Sequence, residues 1–419
     1  MLMQKPGLLD KVRARFAHVD HCPFQGPRVF FENAGGALTL KSVVETSTFF
    51  SAIPDNQGRD NVAAHHLVDI INKSKARMRT LFNADGGQFF VGESGTELLF
   101  RLIRTAVVGA PEGGTVLGTS LEHPASRSAA MKWAEVTGKP YIAVPHSNET
   151  GTVTADDYAK LVTKDVRVAT IIHTSPVTGM SVDVVAVAKA IRAVAPDCYI
   201  IVDGIQHASH GHIDLKAADV DGYVVSPYKV FSRHGYGVAW ASDRLTTLPR
   251  EMLQNGPAEN WEFGTRDTGA YATFSDVVDY FVWLGSNFTD SSDDRTRIEA
   301  AAKAIHDHEK SLTDAMLFGT GNLKGLAELP GVSIIGGLDN PSREGLVSLT
   351  LDGMSAVDLV KALNEQGIRT HVRKADHYSG NVLNPLGLDA CVRVSLCHYN
   401  TEAEVAQFLA AMAELTSVD

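Results

Sequence analysis

The sequence CYIIVDGIQHASHGHIDLKAADVDGYVVSPYK, residues 198–229, contains two apolar, β-branched runs that each lead into a polar stretch. The first run ends at Asp203, and the second is followed by Ser226 and Lys229. Short apolar runs bounded by turn residues are typical of strands that are buried on both faces of a parallel sheet. Ligands of such sheets bind at the carboxyl ends of the strands, so this stretch predicts a binding site that contains Asp203 and Lys229.

The same strand pattern recurs in both directions from this stretch, between about residues 60 and 245. Further strand-like runs are GQFFVG, GTVLGTS, PYIAVP, VATIIHT and GVAWAS, and the amphipathic stretches between the runs are Thr96 to Val108, Ala125 to Thr137, Asp156 to Val162 and Val184 to Val194. Alternation of strands and helices predicts a largely parallel sheet that is covered by helices.

A different pattern begins after a long helical segment at about 275–315. GVSIIG, GLVSLTLDG and CVRVSLCHY indicate strands, SAVDLVKALNEQG indicates a helix, and TEAEVAQFLAAMAEL indicates a closing helix with Thr401 as its N-cap. We therefore predict a large domain over residues 46–305. Residues 1–45 and 306–419 are predicted to form a smaller α+β domain.

Composition excludes several classes of protein. The 419 residues are enough for two packed domains, and the net charge of −11 argues against a nucleic-acid binder. No apolar run reaches the roughly 18 residues that a membrane span requires. The four cysteines include no CxxC pair, and the N-terminus has no signal-peptide pattern. We expect a cytoplasmic protein with reduced thiols and no nucleic-acid or membrane partner.

Asp203 and Lys229 suggest chemistry on a flat, cationic cofactor. A carboxylate at a strand end can pair with a protonated ring nitrogen, although it can equally cap a turn. A lysine in a buried cleft is suited to Schiff-base chemistry, because desolvation and nearby cations lower the pKa of its amine. The alternative is an ordinary surface lysine.

Two further motifs favour the same kind of site. In VGESGTELLF, a strand runs through Gly95 and Thr96 into a helix whose first N–H groups would hold a phosphate, with the alternative of a simple helix cap. Ser226 could bind a phosphate oxygen. In SLEHPAS, His123 could stack on a flat cofactor, with the alternative of a structural histidine.

In this order and spacing the motifs resemble those of the class V aminotransferase and cysteine desulfurase group of fold-type I pyridoxal 5′-phosphate (PLP) enzymes. The resemblance extends from FFENAGG to CHYNTEAEV. HGHIDLKAADVDGYVVSPYKVF and VRVSLCHYNTEAEV are similar to a cysteine desulfurase-like branch, and GTRDTGAY is similar to isopenicillin N epimerases. The resemblance implies an α/β fold with a mainly parallel seven-stranded sheet in the large domain, beside a smaller α+β domain.

The resemblance also implies how PLP is held. Lys229 would carry it as a Schiff base and move protons at the substrate Cα, and Asp203 would pair with its ring nitrogen. His123 would stack on the ring, and Gln206 would lie near its phenolic oxygen. The remaining implied cofactor contacts are all to the phosphate: Gly95, Thr96 and Ser226 from the same chain, and Gly264 and Thr265 reaching a neighbouring subunit. The last two imply a homodimer with active sites at the subunit interface.

On the substrate side, the resemblance implies that Arg393 grips the α-carboxylate of an amino acid in a bidentate fork. Asn33, Arg59 and His377 are predicted to line the substrate mouth. The sequence departs from the desulfurase pattern at two places. RKADHYSG has no cysteine where desulfurases carry a nucleophilic one, and Pro176 replaces an asparagine common in related enzymes.

The sequence contains further cysteines, histidines and basic residues near the predicted site. Cys391 and Cys397 are predicted to be buried small hydrophobes, so persulfide chemistry is not expected. His207, His210 and His212 are expected to pack near the site, and no metal is predicted. A predicted loop contains four basic residues: His371, Arg373, Lys374 and His377. They either form a solvated face, bind a second anionic group of the substrate, or act in acid–base steps.

The predicted activity is that of a PLP-dependent lyase. It would act on a small amino acid through an external aldimine and Cα deprotonation, with β-elimination that needs no cysteine. Aminotransfer and epimerisation share the early steps and remain alternatives. A non-catalytic protein of the same fold is a further alternative, although the presence of Lys229, Asp203 and Arg393 argues against it.

Overall fold

A computed structural model describes residues 2–257 and 259–417. The strands in chain order are β1 (His21–Cys22), β2 (Gly26–Pro27), β3 (Val29–Phe30), β4 (Gln88–Gly92), β5 (Thr115–Thr119), β6 (Tyr141–Val144), β7 (Val166–Ile172), β8 (Tyr199–Asp203), β9 (Gly222–Val225), β10 (Gly237–Ala241), β11 (Gly319–Thr320), β12 (Leu323–Lys324), β13 (Val332–Ile334), β14 (Leu346–Leu351), β15 (Ile368–Arg369), β16 (His371–Lys374) and β17 (Ala390–Ser395).

The α-helices in chain order are α1 (Leu8–Arg13), α2 (Lys41–Ser51), α3 (Val62–Phe82), α4 (Gly95–Gly109), α5 (Pro124–Val136), α6 (Ala155–Ala159), α7 (Val184–Val194), α8 (Leu215–Ala218), α9 (Asp243–Thr246), α10 (Thr268–Gly285), α11 (Asp294–Phe318), α12 (Ala356–Glu365), α13 (Gly380–Leu383) and α14 (Glu402–Leu415). No helix within the described residues is both long enough and apolar enough to cross a membrane.

The seven strand-like runs of the sequence form one seven-stranded sheet. Its order is β4-β10-β9-β8-β7-β5-β6, and only β10 runs antiparallel to its neighbours. This confirms the prediction of a mainly parallel sheet. Alternate side chains of a strand point to opposite faces. On β8, Ile201 joins the apolar core that contains Leu98 and Leu102 of α4, while Ile200 and Val202 join the core on the other face.

A second sheet has the order β13-β14-β17-β16 and is antiparallel throughout. Val392 and Val394 of β17 turn toward a core that they share with α12 and α14. Thr401 caps α14 as predicted, because its hydroxyl accepts the Glu404 N–H while the Glu404 carboxylate accepts the Thr401 N–H. Such reciprocal capping satisfies two backbone donors at the start of the helix.

The two cores meet along α11. Its residues Ile298 and Ile305 pack in the core below the large sheet, and Leu312 and Met316 pack in the core of the small one. The N-terminal segment joins the small sheet's side of the molecule through β3, which pairs in parallel with β15. The predicted domain boundary at residue 305 falls inside α11, and the division into two domains stays a prediction.

The prediction of a loop that contains His371, Arg373 and Lys374 is wrong for these residues. These residues form β16, the edge strand of the small sheet, with His371 opposite Arg393 and Arg373 opposite Cys391 of β17. Charged residues are common on edge strands, where they discourage pairing with other chains, and they masked the strand signal in the sequence. The loop itself begins only after Lys374.

Candidate active site

The carboxyl ends of β8 and β9 open into one cleft. Asp203 is the last residue of β8, and Lys229 ends the short 3-10 turn Pro227–Lys229 that follows β9. The cleft is lined by Thr96, His123, Ile172, Thr174, Pro176, Asp203, Ile205, Gln206, Ser226, Tyr228 and Lys229. Six residues that the sequence singled out for cofactor binding therefore share one cavity, although they come from four separate segments.

Lys229 faces the interior of this cleft. Its Nζ donates a hydrogen bond to Gln206 Oε1 at 3.3 Å. Burial lowers the pKa of the amine to about 7, and the positive charges of Arg393 and Arg373 act in the same direction, while Asp203 opposes them. A substantial fraction of the amine is therefore neutral at physiological pH, which is the form that attacks a carbonyl or accepts a proton.

Asp203 is 4% exposed and is held by its own strand end. Its Oδ1 accepts the backbone N–H of Ile205 at 3.1 Å. Burial raises the pKa of this carboxyl to about 6, although the Ile205 N–H and the charge of Lys229 oppose the shift. The carboxylate remains mostly ionised at neutral pH, and a buried carboxylate without a strong ion pair suits a cationic partner brought by a ligand.

His123 is the N-cap of α5, and this role fixes its side chain. Its Nδ1 accepts the backbone N–H of Ala125 at 3.2 Å, so the proton of the neutral ring lies on Nε2. Burial, helped by the charges of Lys229 and Arg373, lowers the pKa of the imidazole to about 3. The ring is thus neutral, as a residue stacked on a flat cofactor should be.

Glu122, directly before His123, is a buried acid beside the cleft that the sequence did not reveal. It is 1% exposed, and burial raises the pKa of its carboxyl to about 8, with the charge of Asp203 adding to the shift. The Ser126 hydroxyl donates a hydrogen bond to Glu122 Oε2. A buried acid at this position looks in the sequence like any acidic residue beside a helix start, so no local signal could have identified it.

The start of α4 has the geometry of a phosphate site. A Cβ at Gly95 would lie 2.4 Å from Ser226 Oγ and 2.6 Å from Ile205 Cδ1, so a larger residue there would displace both side chains. Ser94 caps the helix by accepting the Glu97 N–H at 3.1 Å. The first N–H groups of the helix, the Thr96 side chain and the Ser226 hydroxyl are therefore close together, in an arrangement that binds phosphate well.

Behind Gln206 lies a buried polar chain. Gln206 Nε2 is 3.4 Å from His210 Nε2, and His210 Nδ1 is 2.7 Å from Glu309 Oε2. The Glu309 carboxylate raises the pKa of His210 against the effect of burial. The sequence placed His210 only near the site. The structure adds that it fixes the amide on which Lys229 rests.

The other histidines of this segment lie farther from the amine. His207 Nδ1 is 2.8 Å from Glu344 Oε1, and the Thr174 hydroxyl donates to Glu344 Oε2 at 2.9 Å. His212 is exposed and does not line the cleft. None of these contacts needs a metal, and the absence of one stays a prediction.

Arg393 reaches the same region from β17 of the small sheet. It is 2% exposed, and its Nη1 donates to the backbone carbonyl of Pro176 at 3.0 Å. Burial, and then the charge of Arg373, lowers the pKa of the guanidinium to about 9, while Glu32 opposes this. Pro176, unusual in the sequence, therefore orients the arginine through its main chain.

Two of the residues predicted at the substrate mouth do not enter the cleft in this chain. Asn33 is 4% exposed, and its amide binds the small sheet instead: Nδ2 donates to Ser395 O of β17 at 2.8 Å. His377 is exposed, with its ring 4.1 Å from that of Tyr378. The Tyr378 ring in turn lies 6.1 Å from His123.

Three further predicted site residues lie on an exposed surface outside the cleft. Gly264 and Thr265 are exposed in the segment before α10, and Arg59 is exposed in the loop between α2 and α3. Gln57 of that loop donates to Arg266 O at 3.5 Å, so the two segments are neighbours.

Four features meet at the carboxyl edge of this sheet: the buried amine of Lys229, the carboxylate of Asp203, the neutral ring of His123 and the phosphate site at the start of α4. Together they define a PLP-dependent enzyme of fold type I. The chain belongs to the class-V aminotransferase family, whose sequence model, "Aminotransferase class-V", matches residues 29–287 and 295–408. Enzymes of this family depend on PLP, and the cradle around Gly95 fits that cofactor.

Relatives and solved structures agree with this membership. The chain is 26% identical to a "Probable cysteine desulfurase" of Xylella fastidiosa (strain Temecula1) over 97% of this chain and 95% of the relative. It is 26% identical to "Cysteine desulfurase-like protein ustD" of Aspergillus flavus over 94% and 88% of the two chains. The fold matches that of an apo cysteine desulfurase from Thermococcus onnurineus NA1 with a TM-score of 0.79 and 21% identity, over 93% and 94% of the two chains.

Proposed function

We propose that this enzyme binds a small amino acid, removes the Cα proton with Lys229 and eliminates a β-substituent, without a catalytic cysteine. The observation that carries the proposal is the position of the Lys229 amine, buried in one cleft with Asp203 and His123 and with its pKa lowered to about 7. Bound PLP supplies an electron-withdrawing ring that acidifies the Cα–H bond of the attached amino acid.

Each side chain of the cleft has one task in this proposal. Asp203 keeps a proton on the cofactor's ring nitrogen, and the neutral His123 ring packs on the cofactor's face. Arg393, already oriented by Pro176 O at 3.0 Å, binds the α-carboxylate. Lys229 then takes the Cα proton, and its partly neutral amine makes it a base at physiological pH.

The placement of the thiols supports elimination that needs no cysteine. All four cysteines are free and buried: Cys22, Cys198, Cys391 and Cys397. Cys391 is fully buried on β17, and burial raises the pKa of its thiol to about 11. A thiol that is both buried and protonated is a poor nucleophile. Free cysteines also fit a reducing compartment, and we propose a cytoplasmic location.

We further propose that two copies of the chain complete each other's sites. Gly264, Thr265 and Arg59 are exposed and lie outside the cleft of their own chain. A second copy that packs over this surface would receive Gly264 and Thr265 at its phosphate and Arg59 at its substrate mouth. The oligomeric state in solution, measured by light scattering, tests the dimer.

One observation favours epimerisation as a second candidate. The Tyr378 ring lies 6.1 Å from His123, on the side of the cleft that the small sheet carries, where a second proton donor would be needed. Nothing in the geometry specifically favours aminotransfer.

The test is to incubate the PLP-loaded enzyme with a panel of L-amino acids and identify the products. Pyruvate with ammonia, or with sulfide from cysteine, supports the lyase. Inverted stereochemistry supports epimerisation, and a keto acid with the pyridoxamine form of the cofactor supports aminotransfer. If no amino acid changes the visible absorbance or gives a product, the proposed function is wrong.

A further inference from the structure

Arg373 lies beside Arg393 on the same face of the small sheet. Arg373 of β16 is directly opposite Cys391 of β17, and Arg393 is two residues farther along β17. Residues directly opposite each other point to the same face, and so do alternate residues of one strand. Because Arg393 faces the cleft, the Arg373 side chain leaves the sheet on the cleft side as well.

The charge of Arg373 acts on the residues of the cleft. It lowers the pKa of three groups that face the bound amino acid: His123, Lys229 and Arg393. These residues belong to three different segments, so the guanidinium lies near the region where the segments meet. The site therefore holds two arginines, whereas the α-carboxylate of an amino acid needs one.

Two nitrogens of Arg373, the second arginine, have no hydrogen-bond partner in the described part of the chain. Among residues 2–257 and 259–417, Arg373 is the arginine for which both Nε and Nη2 are buried without a hydrogen-bond partner. The carboxylates nearest to the pair are already engaged. Glu32 accepts from Arg369 Nε at 3.0 Å, and the exposed Asp376 accepts the Tyr378 N–H at 2.8 Å. The charge of Asp376 acts on Arg373, but the Nε and Nη2 of this partly buried arginine make no hydrogen bond, and buried donors of this kind are costly unless a ligand supplies an acceptor.

We propose that Arg373 binds a second anionic group of an amino-acid ligand, so that the cleft prefers amino acids with a short acidic side chain. The acid is a carboxylate or a sulfinate on the β- or γ-carbon. Diagonal neighbours on adjacent strands are about 7–8 Å apart at Cα. If their side chains converge, the two guanidinium groups lie close enough together to bind the α-carboxylate and a side-chain acid of one small amino acid at the same time. This inference rests on the proposed function, because it assumes that Arg393 holds the α-carboxylate.

The experiment compares acidic and neutral amino acids of equal shape on the PLP-loaded enzyme. The pairs are L-aspartate with L-asparagine, L-glutamate with L-glutamine, and L-cysteine sulfinate with L-cysteine. Dissociation constants come from the change in cofactor absorbance, with product formation measured in parallel. Wild-type enzyme should bind the acid of at least one pair about 10- to 100-fold more tightly than its neutral partner, as expected for charge-assisted hydrogen bonds.

Arg373→Met should abolish this preference and leave binding of the neutral amino acids within about threefold of wild type. Lys374→Met is the matched control. Lys374 is the next residue of β16, exposed and on the opposite face, so its variant should keep the preference. The pair that shows the preference distinguishes a side-chain carboxylate from a sulfinate.

Two results would overturn the inference. One is a wild-type enzyme that changes absorbance with neutral amino acids but shows no preference for acids. The other is an Arg373→Met enzyme that loses acidic and neutral ligands equally, because the arginine would then only shape the cleft. Absorbance that responds to no amino acid at all would instead contradict the proposed function itself.

Discussion

Two charged residues on the cofactor side of the cleft, Asp203 and Lys229, differ from Arg373 on the substrate side in how they are bonded. On the cofactor side, carried by the large sheet, Asp203 accepts a backbone N–H and Lys229 donates to Gln206, which is backed by His210. On the substrate side, carried by the small sheet, Arg373 has buried nitrogens without partners. The first side is built to hold one cofactor in one position. The second side is left open for the charges of a ligand, and this is where specificity can vary without disturbing the chemistry.

The largest effect is expected from Lys229→Ala, which removes the reacting group of the cofactor side. Activity should fall by about 10⁴-fold or more, since the variant loses both the covalent attachment and the general base. The absorbance of lysine-bound PLP should disappear as well. Lys216→Ala is the control, because Lys216 is exposed and pairs with Asp85. A variant that retained the absorbance band would show that another lysine holds the cofactor.

Asp203→Asn tests the same side without changing its shape. The variant keeps the volume but loses the charge that holds a proton on the ring nitrogen, and kcat should fall about 10²- to 10³-fold. The KM for amino acids should change little, because the carboxylate does not touch the substrate side. Asp219→Asn is the control, because Asp219 is an exposed residue that follows α8 with a left-handed backbone conformation and lies outside the cleft. A large change in KM with normal kcat would mean that the two sides are not separate.

Arg393→Lys is the corresponding test of the substrate side. Lysine keeps the charge but loses the planar fork, so KM should rise about 10²-fold for every amino acid, acidic or neutral. Cofactor absorbance and affinity should remain normal. Equal losses for all amino acids would distinguish this residue from Arg373. A rise in KM for acidic amino acids alone would exchange the roles proposed for the two arginines.

The sequence predicted the cofactor side better than the substrate side, for a physical reason. The ends of buried parallel strands are visible as apolar runs that stop, so Asp203 and Lys229 could be placed together before the fold was known. Gly95 could be placed by its position between a strand and a helix. These predictions of position agree with the structure, while the roles of the residues stay proposals.

The substrate side lacked such a signal. The edge strand β16 is short and charged, so its sequence predicts a loop and does not separate Arg373 from the exposed His377. Which charged residue turns toward the cleft depends on the register between β16 and β17, and a single sequence does not contain that register. Burial of Glu122 and of the His210–Glu309 pair depends in the same way on long-range packing.

The charge of Arg373 on the substrate side should affect the Lys229 amine on the cofactor side. The pH dependence of cofactor attachment measures this coupling. Only the neutral lysine amine attacks the aldehyde of PLP, so the rate of attachment to the apoenzyme should rise with pH through about 7, the pKa of the Lys229 amine, and level off at higher pH. An ordinary lysine, with a pKa of 10.5, would show a rate that still rises at much higher pH.

Two variants should move this midpoint in opposite directions. Arg373→Met removes a positive charge that favours the neutral amine, so the midpoint should shift to higher pH. Asp203→Asn removes a negative charge that favours the protonated amine, so it should shift to lower pH. Stopped-flow absorbance at a series of pH values gives the midpoints. If neither variant moves the midpoint, the guanidinium of the substrate side does not reach the amine.

The smallest effect is expected where the two sides are joined. Asn381 of α13, on the chain segment between β16 and β17, donates to Ser120 O at 2.6 Å and to Glu122 O at 3.1 Å, directly before His123. Asn381→Ala removes both bonds, each worth about 1 kcal/mol, and should loosen the substrate side and raise KM by about 3- to 10-fold. Cofactor affinity and kcat should stay unchanged, because His123 remains fixed by Ala125 N–H.

Asn148→Ala is the matched control for this joint. Asn148 also donates from Nδ2 to a carbonyl, that of Pro385 at 3.1 Å, but it makes no bond to the His123 segment. Its variant should therefore leave KM unchanged. If Asn381→Ala weakens PLP binding as much as it raises KM, then the position of His123 depends on the substrate side. In that case the cleft is a single unit, and the division into a fixed cofactor side and a variable substrate side does not hold.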